Sequence, residues 1–522
     1  MTRLGVVDSL RVAPPRRDRR TRGFKAPRLI NVASQLAATE ILLTGGNGFL
    51  GKVLLALLLD RYPDFKKLHV VIRPRRGRSA RERFEQDVLA SPPLREIAER
   101  LGAEYLAAKI EVWEGDVGRP SCGIDPAVLA DWRGRVGLVL NCAGLVEFFP
   151  PVDESLNANV DSAENLLALA KQIDAKLLHV STCYVAGRAD GLIEESEPIE
   201  GFYPLRRGPE DRSFDFREEL KRVRERAAEI IANDPGRSRE TQDRLTELGR
   251  RRAERWGWVN TYTYAKSLGE QLIAAESEVD AAIVRPAIVE SALRFPFPGW
   301  IEGGRTAAPL VLMALGGTTE WPARADLSLE IVPVDLIAAA IWAVSGALLA
   351  CDARPIYQLA SSDVNPFEMQ PLLELLLAAA GNSSSPRLDS AEEAQRRSER
   401  LRGRARKTQD LLAEAARKLD RIGLPGGKAL AARAAALRTL GLRSRFRDEV
   451  LEQYLPFILE NRYVFEASNM RETYSKLSPA DREKLPWDPE SIDWPRYWRE
   501  NQIEGVRKWV QPETVREWSV QL

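Results

Sequence analysis

The sequence predicts an α/β protein: a Rossmann-like, doubly wound parallel sheet followed by a mostly helical C-terminal domain. Three observations support this fold class. Short apolar runs alternate with helix-length segments between residues 39 and 365, a glycine-rich turn joins the first run to the first helix, and helical periodicity replaces the alternation over residues 366–522. Strands that alternate with helices are typical of parallel sheets covered by helices on both faces. The length of 522 residues leaves room for two or three domains.

Charge is distributed unevenly along the chain. Residues 1–30 carry nine basic side chains against two acidic ones, whereas the whole chain has 76 Lys and Arg against 75 Asp and Glu. Little periodicity accompanies the basic stretch, so residues 1–38 are predicted to form a basic, flexible tail. The net charge of +1 argues against nucleic acid as a partner.

Seven apolar runs are predicted as strands of the sheet. They cover residues 41–43, 68–72, 110–113, 136–141, 177–181, 281–284 and 356–360. A highly charged stretch at 194–258 is predicted to be a helical insertion, either with a solvated helix face or as a cover over a pocket. The longest uncharged run, residues 336–351, is shorter than the roughly 20 residues that cross a bilayer and is predicted to be a buried helix.

The segment TGGNGFLG follows the first predicted strand and opens the first predicted helix. Gly45, Gly48 and Gly51 fit the pattern GxxGxxG, and Gly46 with the last two also fits GxGxxG. Glycine is needed because the backbone turns tightly, approaches a diphosphate and lets the helix lie against the strand. The segment therefore predicts a dinucleotide site formed by Thr44, Gly45, Gly46, Asn47, Gly48, Phe49, Leu50 and Gly51.

The choice between NAD and NADP is predicted from the end of the second strand. An acidic residue there binds the adenosine ribose of NAD, but this chain has Arg73, whose guanidinium suits a 2′-phosphate. Arg83 on the following helix is a second candidate, and Asp116 after the third strand is placed to meet the adenine. Together with Ala143 and Pro286, which follow or end later strands, these residues predict NADPH as the cofactor.

Only two histidines occur, far apart in sequence, so neither a serine–histidine triad nor a metal site is expected. Acid–base chemistry is assigned instead to Tyr262 and Lys266, which stand at i and i+4 of a predicted helix and so share one face. An ammonium close to a phenol stabilises the phenolate, and Lys266 is therefore expected to lower the pKa of Tyr262. Tyr264 points to another face and is the weaker candidate.

A hydroxyl on the strand before this helix should complete the catalytic set. The segment HVSTCY offers Ser181 and Thr182, and Thr182 is preferred because ligands of parallel sheets bind at the strand ends. Cys183 is a rival nucleophile, but on an extended backbone it faces away from Thr182, and no histidine nearby in sequence would activate it. The predicted catalytic residues are Thr182, Tyr262 and Lys266.

Several segments together resemble a known family. The chain is similar to alcohol-forming fatty acyl-CoA reductases of the bacterial type, members of the extended short-chain dehydrogenase/reductase superfamily with a male-sterility-type C-terminal domain. The similarity lies in TGGNGFLGKVLL, VSTCYVAG, NTYTYAKSLGEQL, IVRPAIVESAL, PGWIEG, LEIVPVDLI and the late segment from ENRYVFEASNM to WPRYWRENQIEGVRKWV. The resemblance covers residues 38–522 and not the basic tail.

The resemblance implies a reaction as well as a fold. It implies NADPH-dependent reduction of a long-chain fatty acyl-CoA to a fatty alcohol, with a fatty aldehyde as the intermediate. It assigns the glycine segment and Arg73 to NADPH, and catalysis to Thr182, Tyr262 and Lys266. The helical C-terminal domain and the insertion at 194–258 are expected to cover the acyl chain.

Alternatives stay open. The chain could be an aldehyde-forming reductase of acyl-CoA or of an acyl-carrier-protein thioester, or a NADPH-sensing binding protein without catalysis; the late segment argues against a sugar epimerase or steroid dehydrogenase. The four cysteines form no CxxC pair and no signal-like apolar stretch follows the basic start, so a cytoplasmic location is expected. The tail and residues 428–442 are candidates for peripheral contact with an anionic membrane, or are solvated charge and ordinary packing.

Overall fold

The computed structural model describes residues 29–196, 198–208, 210–304, 306–421 and 427–510. Its centre is a seven-stranded parallel sheet with the strand order β11-β7-β5-β4-β1-β2-β3. The strands are β1 (Glu40–Thr44), β2 (Lys67–Ile72), β3 (Ile110–Glu114), β4 (Val136–Asn141), β5 (Lys176–Val180), β6 (Gly191–Ile193), β7 (Ala281–Pro286), β8 (Ile288–Glu290), β9 (Glu320–Trp321), β10 (Ile331–Pro333), β11 (Ile356–Leu359), β12 (Arg387–Leu388) and β13 (Tyr463–Phe465). All seven predicted strands are members of this sheet, which confirms the fold class.

Helices cover both faces of the sheet and form most of the later part of the chain. They are α1 (Val32–Ala38), α2 (Phe49–Arg61), α3 (Ala80–Arg83), α4 (Pro92–Leu101), α5 (Ala103–Lys109), α6 (Pro126–Trp132), α7 (Val152–Leu156), α8 (Ser162–Ile173), α9 (Phe216–Ala232), α10 (Arg239–Trp256), α11 (Thr261–Ala274), α12 (Ala308–Leu315), α13 (Val334–Leu349), α14 (Met369–Ala379), α15 (Ala391–Arg421), α16 (Gly427–Leu455), α17 (Ser468–Lys476), α18 (Pro479–Lys484), α19 (Trp494–Arg496) and α20 (Ile503–Trp509).

The strands read as continuous apolar runs because both faces of the sheet are buried. Successive side chains of a strand point to opposite faces, so Ile41 and Leu43 of β1 pack on the side of α2 and α13, while Leu42 packs on the side of α6 and α8. Because all seven strands are parallel, their carboxyl ends lie at the same edge of the sheet. The residues that follow the strands therefore meet along that edge.

The predicted buried helix at 336–351 is α13. Its side chains are buried from Val334 to Leu348, and the indole N–H of Trp342 donates to the Leu54 carbonyl of α2 at 3.0 Å. Among the residues that the structure describes, no helix combines the length and the apolar character needed to cross a membrane.

The charged insertion forms α9 and α10, two amphipathic helices that pack behind α11. Leu220 and Val223 of α9 and Leu245 of α10 are buried, whereas most of the charged side chains of both helices are exposed. One charged residue points inward: the Glu219 carboxylate accepts a hydrogen bond from the Tyr264 phenol at 2.7 Å. The insertion therefore packs against α11 and keeps a solvated face.

The part of the chain after residue 366 is helical but not separate from the sheet. Helices α15 and α16 pair as a long hairpin, and the chain then returns so that β13 pairs in parallel with β6. The Gln358 side chain of β11 donates to the carbonyls of Ile193 and Glu466 at 2.9 and 3.1 Å. The segments on either side of the predicted boundary at 365/366 thus pack against each other.

The prediction of a flexible tail up to residue 38 is wrong for its last residues. Helix α1 begins after Asn31, whose side chain accepts from the Ser34 N–H at 2.8 Å, and it buries Val32 and Leu36. The Asp481 carboxylate accepts from the Val32 N–H at 2.9 Å, across 449 residues of sequence. This packing orders the uncharged segment that follows the basic residues; residues 1–28 lie outside the described residues.

Candidate active site

The glycine segment forms a tight turn between β1 and α2. Gly45 has φ +73°, and a Cβ there would lie 2.5 Å from the carbonyl carbon of Cys142. A Cβ at Gly51 would lie 2.1 Å from the carbonyl oxygen of Gly45, and the Gly48 N–H closes the turn on that oxygen at 3.0 Å. Of the two glycine patterns, the one formed by Gly45, Gly48 and Gly51 therefore agrees with the packing. Its first and third positions must be glycine because a side chain there would clash with the backbone.

Gly48 needs a different explanation. It precedes α2 with an ordinary φ of −86°, and within the described residues an added Cβ would approach only the Gly45 carbonyl oxygen, at 3.4 Å. The space above it opens at the N-terminal end of α2, where free N–H groups and the helix dipole favour an anion. Asn47, Phe49 and Leu50 are partly exposed around this cradle. The turn fits the diphosphate of a dinucleotide.

The end of β2 carries the residues predicted to choose the cofactor. Arg73 leaves the sheet with 61% of its side chain exposed, and its Nη1 lies 3.6 Å from Oδ2 of Asp116, which follows the neighbouring strand β3. Arg83 is only 12% exposed: its Nη1 donates to the Arg73 carbonyl at 2.6 Å and its Nε to Asp87 at 3.3 Å. Arg73 is thus available for a phosphate, while Arg83 fixes the backbone from which Arg73 extends.

Three further predicted cofactor residues stand at the same sheet edge. The Thr44 hydroxyl, at the end of β1, donates to Oδ1 of Asn141 at 2.7 Å, and the Ala143 N–H donates to the same oxygen at 3.1 Å. Pro286 ends β7 and is buried. The structure therefore brings the residues predicted from separate motifs to one edge, from β3 across β1 and β4 to β7.

Helix α11 supplies the Tyr–Lys pair. Asn260 caps its start by accepting from the Thr263 N–H at 2.8 Å, and Tyr262 and Lys266 lie on the face towards the ends of β4 and β5. The side chain of Thr182, the second residue after β5, interacts with the Tyr262 phenol and lowers its pKa against the effect of burial. The structure thus brings the three predicted residues together at the ends of β4 and β5.

The titration of Tyr262 departs from the sequence prediction. Burial raises the pKa of its phenol above the ordinary value of 10, Thr182 opposes this rise, and Glu270 and Cys183 add to it. The Lys266 ammonium donates to the Val180 carbonyl at 2.9 Å. The expected lowering of the Tyr262 pKa by Lys266 is therefore wrong for this form, because burial dominates; the phenol is the protonated, acid form.

Lys266 occupies a narrow buried space. Burial lowers the pKa of its ammonium to about 8. A Cβ at Gly144 would lie 3.0 Å from its Nζ and 2.9 Å from Oδ1 of Asn159, so the missing side chain at Gly144 makes room for the ammonium. At neutral pH the lysine is charged and points at the sheet edge between β4 and β5.

The rival residues have other partners. The Cys183 thiol donates to the Arg285 carbonyl at 2.7 Å, and burial raises its pKa well above the ordinary range, so it is not an activated nucleophile. Tyr264 is bonded to Glu219 on the opposite face of α11. The Ser181 hydroxyl is buried and has no hydrogen-bond partner within the described part of the chain.

Sequence reasoning missed a buried ion pair beside the trio. The Arg285 guanidinium of β7 donates from Nε to Oε1 of Glu270 at 2.9 Å, and both side chains are buried. Glu270 stands one helical turn after Lys266, so extending the i, i+4 series from Tyr262 would have found it. This ion pair connects helix α11 to β7, the strand that ends in Pro286.

Aromatic side chains form an apolar wall next to Tyr262. The Phe148 carbonyl accepts from the Tyr262 N–H at 3.3 Å. The Phe148 ring lies 5.6 Å from that of Phe457 and 5.9 Å from that of Tyr454, and the Tyr184 ring lies 4.9 Å from that of Phe457. The wall thus combines residues near the catalytic trio with residues from the end of α16 onwards.

Comparisons with known proteins show the family of the chain. Residues 43–341 match the family model described as male sterility protein, an NAD-binding domain, over more than half of the chain. The chain is 30% identical over 366 residues to fatty acyl-CoA reductase 2, chloroplastic, of Arabidopsis thaliana, an alignment that covers 66% of this chain and 58% of that protein. The chain belongs to the fatty acyl-CoA reductase family.

Other similarities extend this assignment. The alcohol-forming fatty acyl-CoA reductase of Simmondsia chinensis is 29% identical over 350 residues, which covers 64% of this chain and 69% of that protein. The reductase domain of a non-ribosomal peptide synthetase from Mycobacterium tuberculosis shares the fold, with a TM-score of 0.53, 18% identity and coverage of 94% of this chain and 96% of that one. The chain thus combines an NAD(P)-binding domain with a helical C-terminal region.

Proposed function

We propose that this fatty acyl-CoA reductase is of the alcohol-forming bacterial type and uses NADPH to reduce a long-chain fatty acyl-CoA, through a fatty aldehyde, to the fatty alcohol. The observation that carries the proposal is the proximity of the Thr182 and Tyr262 hydroxyl groups at the carboxyl edge of the sheet, beside an aromatic wall. Two adjacent hydroxyl groups suit a carbonyl oxygen that gains charge, and the wall suits an alkyl chain. The name of the Simmondsia relative supports alcohol as the product.

Arg73 supports NADPH over NADH. Its guanidinium is largely exposed at the end of β2, where the adenosine ribose of a dinucleotide is bound in this fold. A guanidinium forms bidentate, charge-assisted hydrogen bonds to a phosphate. When bound, the reduced nicotinamide supplies the hydride for each of the two reduction steps.

In the first step the chain stabilises an oxyanion. The substrate carbonyl accepts hydrogen bonds from the Tyr262 phenol and the Thr182 hydroxyl, which strengthen as negative charge develops on the oxygen. Hydride addition to the carbonyl carbon gives a tetrahedral species. Its carbon–sulfur bond then breaks, CoA leaves as the thiolate, and the aldehyde remains. The raised pKa of Tyr262 keeps its proton in place for this step.

In the second step the same groups act on the aldehyde. Tyr262 donates its phenolic proton to the alkoxide as the alcohol forms, and Thr182 holds the oxygen in place. Lys266, charged and fixed on the Val180 carbonyl, is assigned to the ribose of the nicotinamide. Phe148, Tyr454 and Phe457 exclude water beside the reacting carbon and retain the aldehyde between the two steps.

The decisive experiment measures stoichiometry. Purified protein is mixed with palmitoyl-CoA and NADPH, the NADPH consumed is counted per CoA released, and the product is identified by mass spectrometry. Two NADPH per CoA with hexadecanol supports the proposal. One NADPH per CoA with hexadecanal identifies an aldehyde-forming reductase instead.

Two controls separate the remaining alternatives. The same palmitoyl group presented on an acyl carrier protein tests which thioester is preferred, by comparing kcat/KM for the two donors. Binding of NADPH without oxidation in the presence of either thioester would contradict the proposal and favour a cofactor-binding protein without catalysis. Contact with an anionic membrane through the basic N-terminal residues stays a prediction.

A further inference from the structure

An ion pair between a buried lysine and an exposed glutamate links helix α2 to a distant segment. The Lys52 ammonium of α2 lies 2.6 Å from Oε1 of Glu302, which stands in the segment after β8. Only 6% of the Lys52 side chain is exposed, against 38% for Glu302. The two residues are 250 positions apart in sequence, and neither was among the predicted site residues.

The position of Lys52 is unusual for a lysine. It belongs to the first turns of α2, where the helix dipole disfavours a cation. It also stands four residues after Gly48, so it shares the helix face of the glycine whose open side forms the diphosphate cradle. A cation at this place is favourable when an anion is near it, and in the present structure that anion is Glu302.

Glu302 lies between an anchored segment and an open turn. Trp300 and Ile301 are buried, and the Trp300 ring lies 5.1 Å from that of Trp509 in α20. On the other side, Gly303 has φ +79°, and a Cβ there would meet nothing within 4 Å among the described residues. The carboxylate can therefore leave Lys52 by rotation around the glycine turn, without disturbing the anchor.

We propose that Lys52 binds the diphosphate of the dinucleotide and that Glu302 competes with the diphosphate for it. Glu302 neutralises the ammonium when the cradle holds no dinucleotide. When a dinucleotide enters the cradle, the ammonium passes to the diphosphate, and the Glu302 carboxylate turns to solvent by rotation at Gly303. The inference rests on the dinucleotide binding within the proposed function but not on the identity of the acyl substrate.

The test measures ligand affinity by isothermal titration calorimetry on the full chain. ADP-ribose carries the diphosphate, whereas 2′-AMP carries the 2′-phosphate and no diphosphate. Lys52→Met should weaken ADP-ribose binding about tenfold, as expected for loss of one charge-assisted contact. Glu302→Gln should strengthen it several-fold, because the competitor is gone. The double variant should behave like Lys52→Met, and 2′-AMP affinity should be unchanged in all three.

Lys67 and Glu111 provide the matched control. They form a Lys–Glu pair of 2.8 Å at β2 and β3, and Lys67 begins β2 at the edge of the sheet opposite the cofactor. Lys67→Met and Glu111→Gln should leave both affinities unchanged. Thermal unfolding of every variant, and recovery of ADP-ribose affinity in Lys52→Arg, separate loss of the contact from loss of the fold.

The Glu302→Gln variant distinguishes two explanations of the ion pair: competition of Glu302 with the diphosphate, and simple support of the loop by the pair. If the pair only braces the loop, Glu302→Gln will weaken ADP-ribose binding as Lys52→Met does, or leave it unchanged, and either result overturns the proposal. Failure of the unchanged chain to bind ADP-ribose would overturn it together with the dinucleotide site. Failure to reduce palmitoyl-CoA, with the ADP-ribose pattern intact, would remove only the proposed acyl substrate.

Discussion

The Thr182 side chain interacts with the Tyr262 phenol although the two residues come from different elements, the end of β5 and the first turn of α11. Burial keeps the phenol protonated, and Thr182 acts in the opposite direction by lowering its pKa. A reductase needs an acid at this place, because each reduction places negative charge on a carbonyl oxygen. The structure holds the tyrosine in the form that the proposed reaction uses.

Tyr262→Phe should lower kcat for palmitoyl-CoA by about 10²- to 10⁴-fold, the range for loss of a general acid. NADPH affinity, measured by fluorescence titration, should stay within about twofold of the parent value, since the ring remains in place. Tyr264→Phe is the control: it removes only the hydrogen bond to Glu219 and should lower the melting temperature while kcat is retained. Retained turnover in Tyr262→Phe would exclude this tyrosine as the acid.

Thr182 should prove catalytic through its hydroxyl alone. Thr182→Val keeps the shape but removes the donor and should lower kcat by about 10²-fold, whereas Thr182→Ser should recover most of the loss. Ser181→Ala, at the neighbouring buried hydroxyl, should leave kcat nearly unchanged. Steady-state kinetics on the three variants decides between the two hydroxyls, and a larger loss in Ser181→Ala would reverse the assignment.

Two glycine substitutions should separate folding from cofactor binding. Gly51→Ala places a methyl group 2.1 Å from the Gly45 oxygen and should prevent stable folding. Gly48→Ala meets only an ordinary contact at 3.4 Å and should retain the melting temperature, yet it fills the cradle and should weaken ADP-ribose binding by at least about tenfold. Thermal unfolding and calorimetry on both variants test this contrast; unchanged ADP-ribose affinity in Gly48→Ala would mean that the diphosphate lies elsewhere.

Arg73→Ala should raise the KM for NADPH by about tenfold or more and leave the KM for NADH nearly unchanged, because a charge-assisted contact to the 2′-phosphate is lost. Arg75→Ala, an exposed neighbour, is the matched control and should change neither value. Arg83→Met should act indirectly, by releasing the backbone of Arg73 that it holds at 2.6 Å. Equal losses with NADPH and NADH in Arg73→Ala would contradict a role in cofactor choice.

Stability should rise with pH through the titration of Lys266. Burial lowers the pKa of its ammonium from 10.5 to about 8, so between these values the unfolded chain binds more protons than the folded one. The free energy of unfolding should therefore gain up to about 3 kcal/mol from this group as pH rises from 8 to 10.5. Lys266→Met should lack that gain.

The difference between parent and Lys266→Met isolates this lysine from the other groups that titrate at high pH. Melting temperatures of both proteins at pH 7, 8, 9 and 10 measure it. The parent should gain on the variant above pH 8. A constant difference across this range would show that Lys266 titrates normally in the folded chain.

The sheet was predictable because its strands are buried on both faces and appear as continuous apolar runs. The proximity of the three candidate catalytic residues was predictable because Tyr262 and Lys266 share a helix face and Thr182 follows a strand. The direction in which the Tyr262 pKa shifts was not predictable, because it depends on burial by residues distant in sequence. The same holds for Lys52 and Glu302, whose pairing across 250 residues has no periodic signal.

The predicted end of the tail at residue 38 was wrong for a related reason. Val32 and Leu36 stand in a short uncharged segment directly after a basic, irregular stretch, and their packing on α13 and the Asp481 carboxylate stabilise that segment as a helix. Local patterns describe which face of an element is apolar. They do not describe which distant carboxylate completes its hydrogen bonds.

The contact between Asp481 and the first turn of α1 also determines when α1 can complete its packing during synthesis. The helix leaves the ribosome early, but the carboxylate that accepts from its Val32 N–H is 449 residues further along the chain. At about 5 to 20 residues per second, the interval between the two is roughly 20 to 90 s. During that time the glycine loop can form, but the N-terminal helix stays without its final partner. The nascent protein is thus expected to acquire its nucleotide-binding half well before its ends are joined.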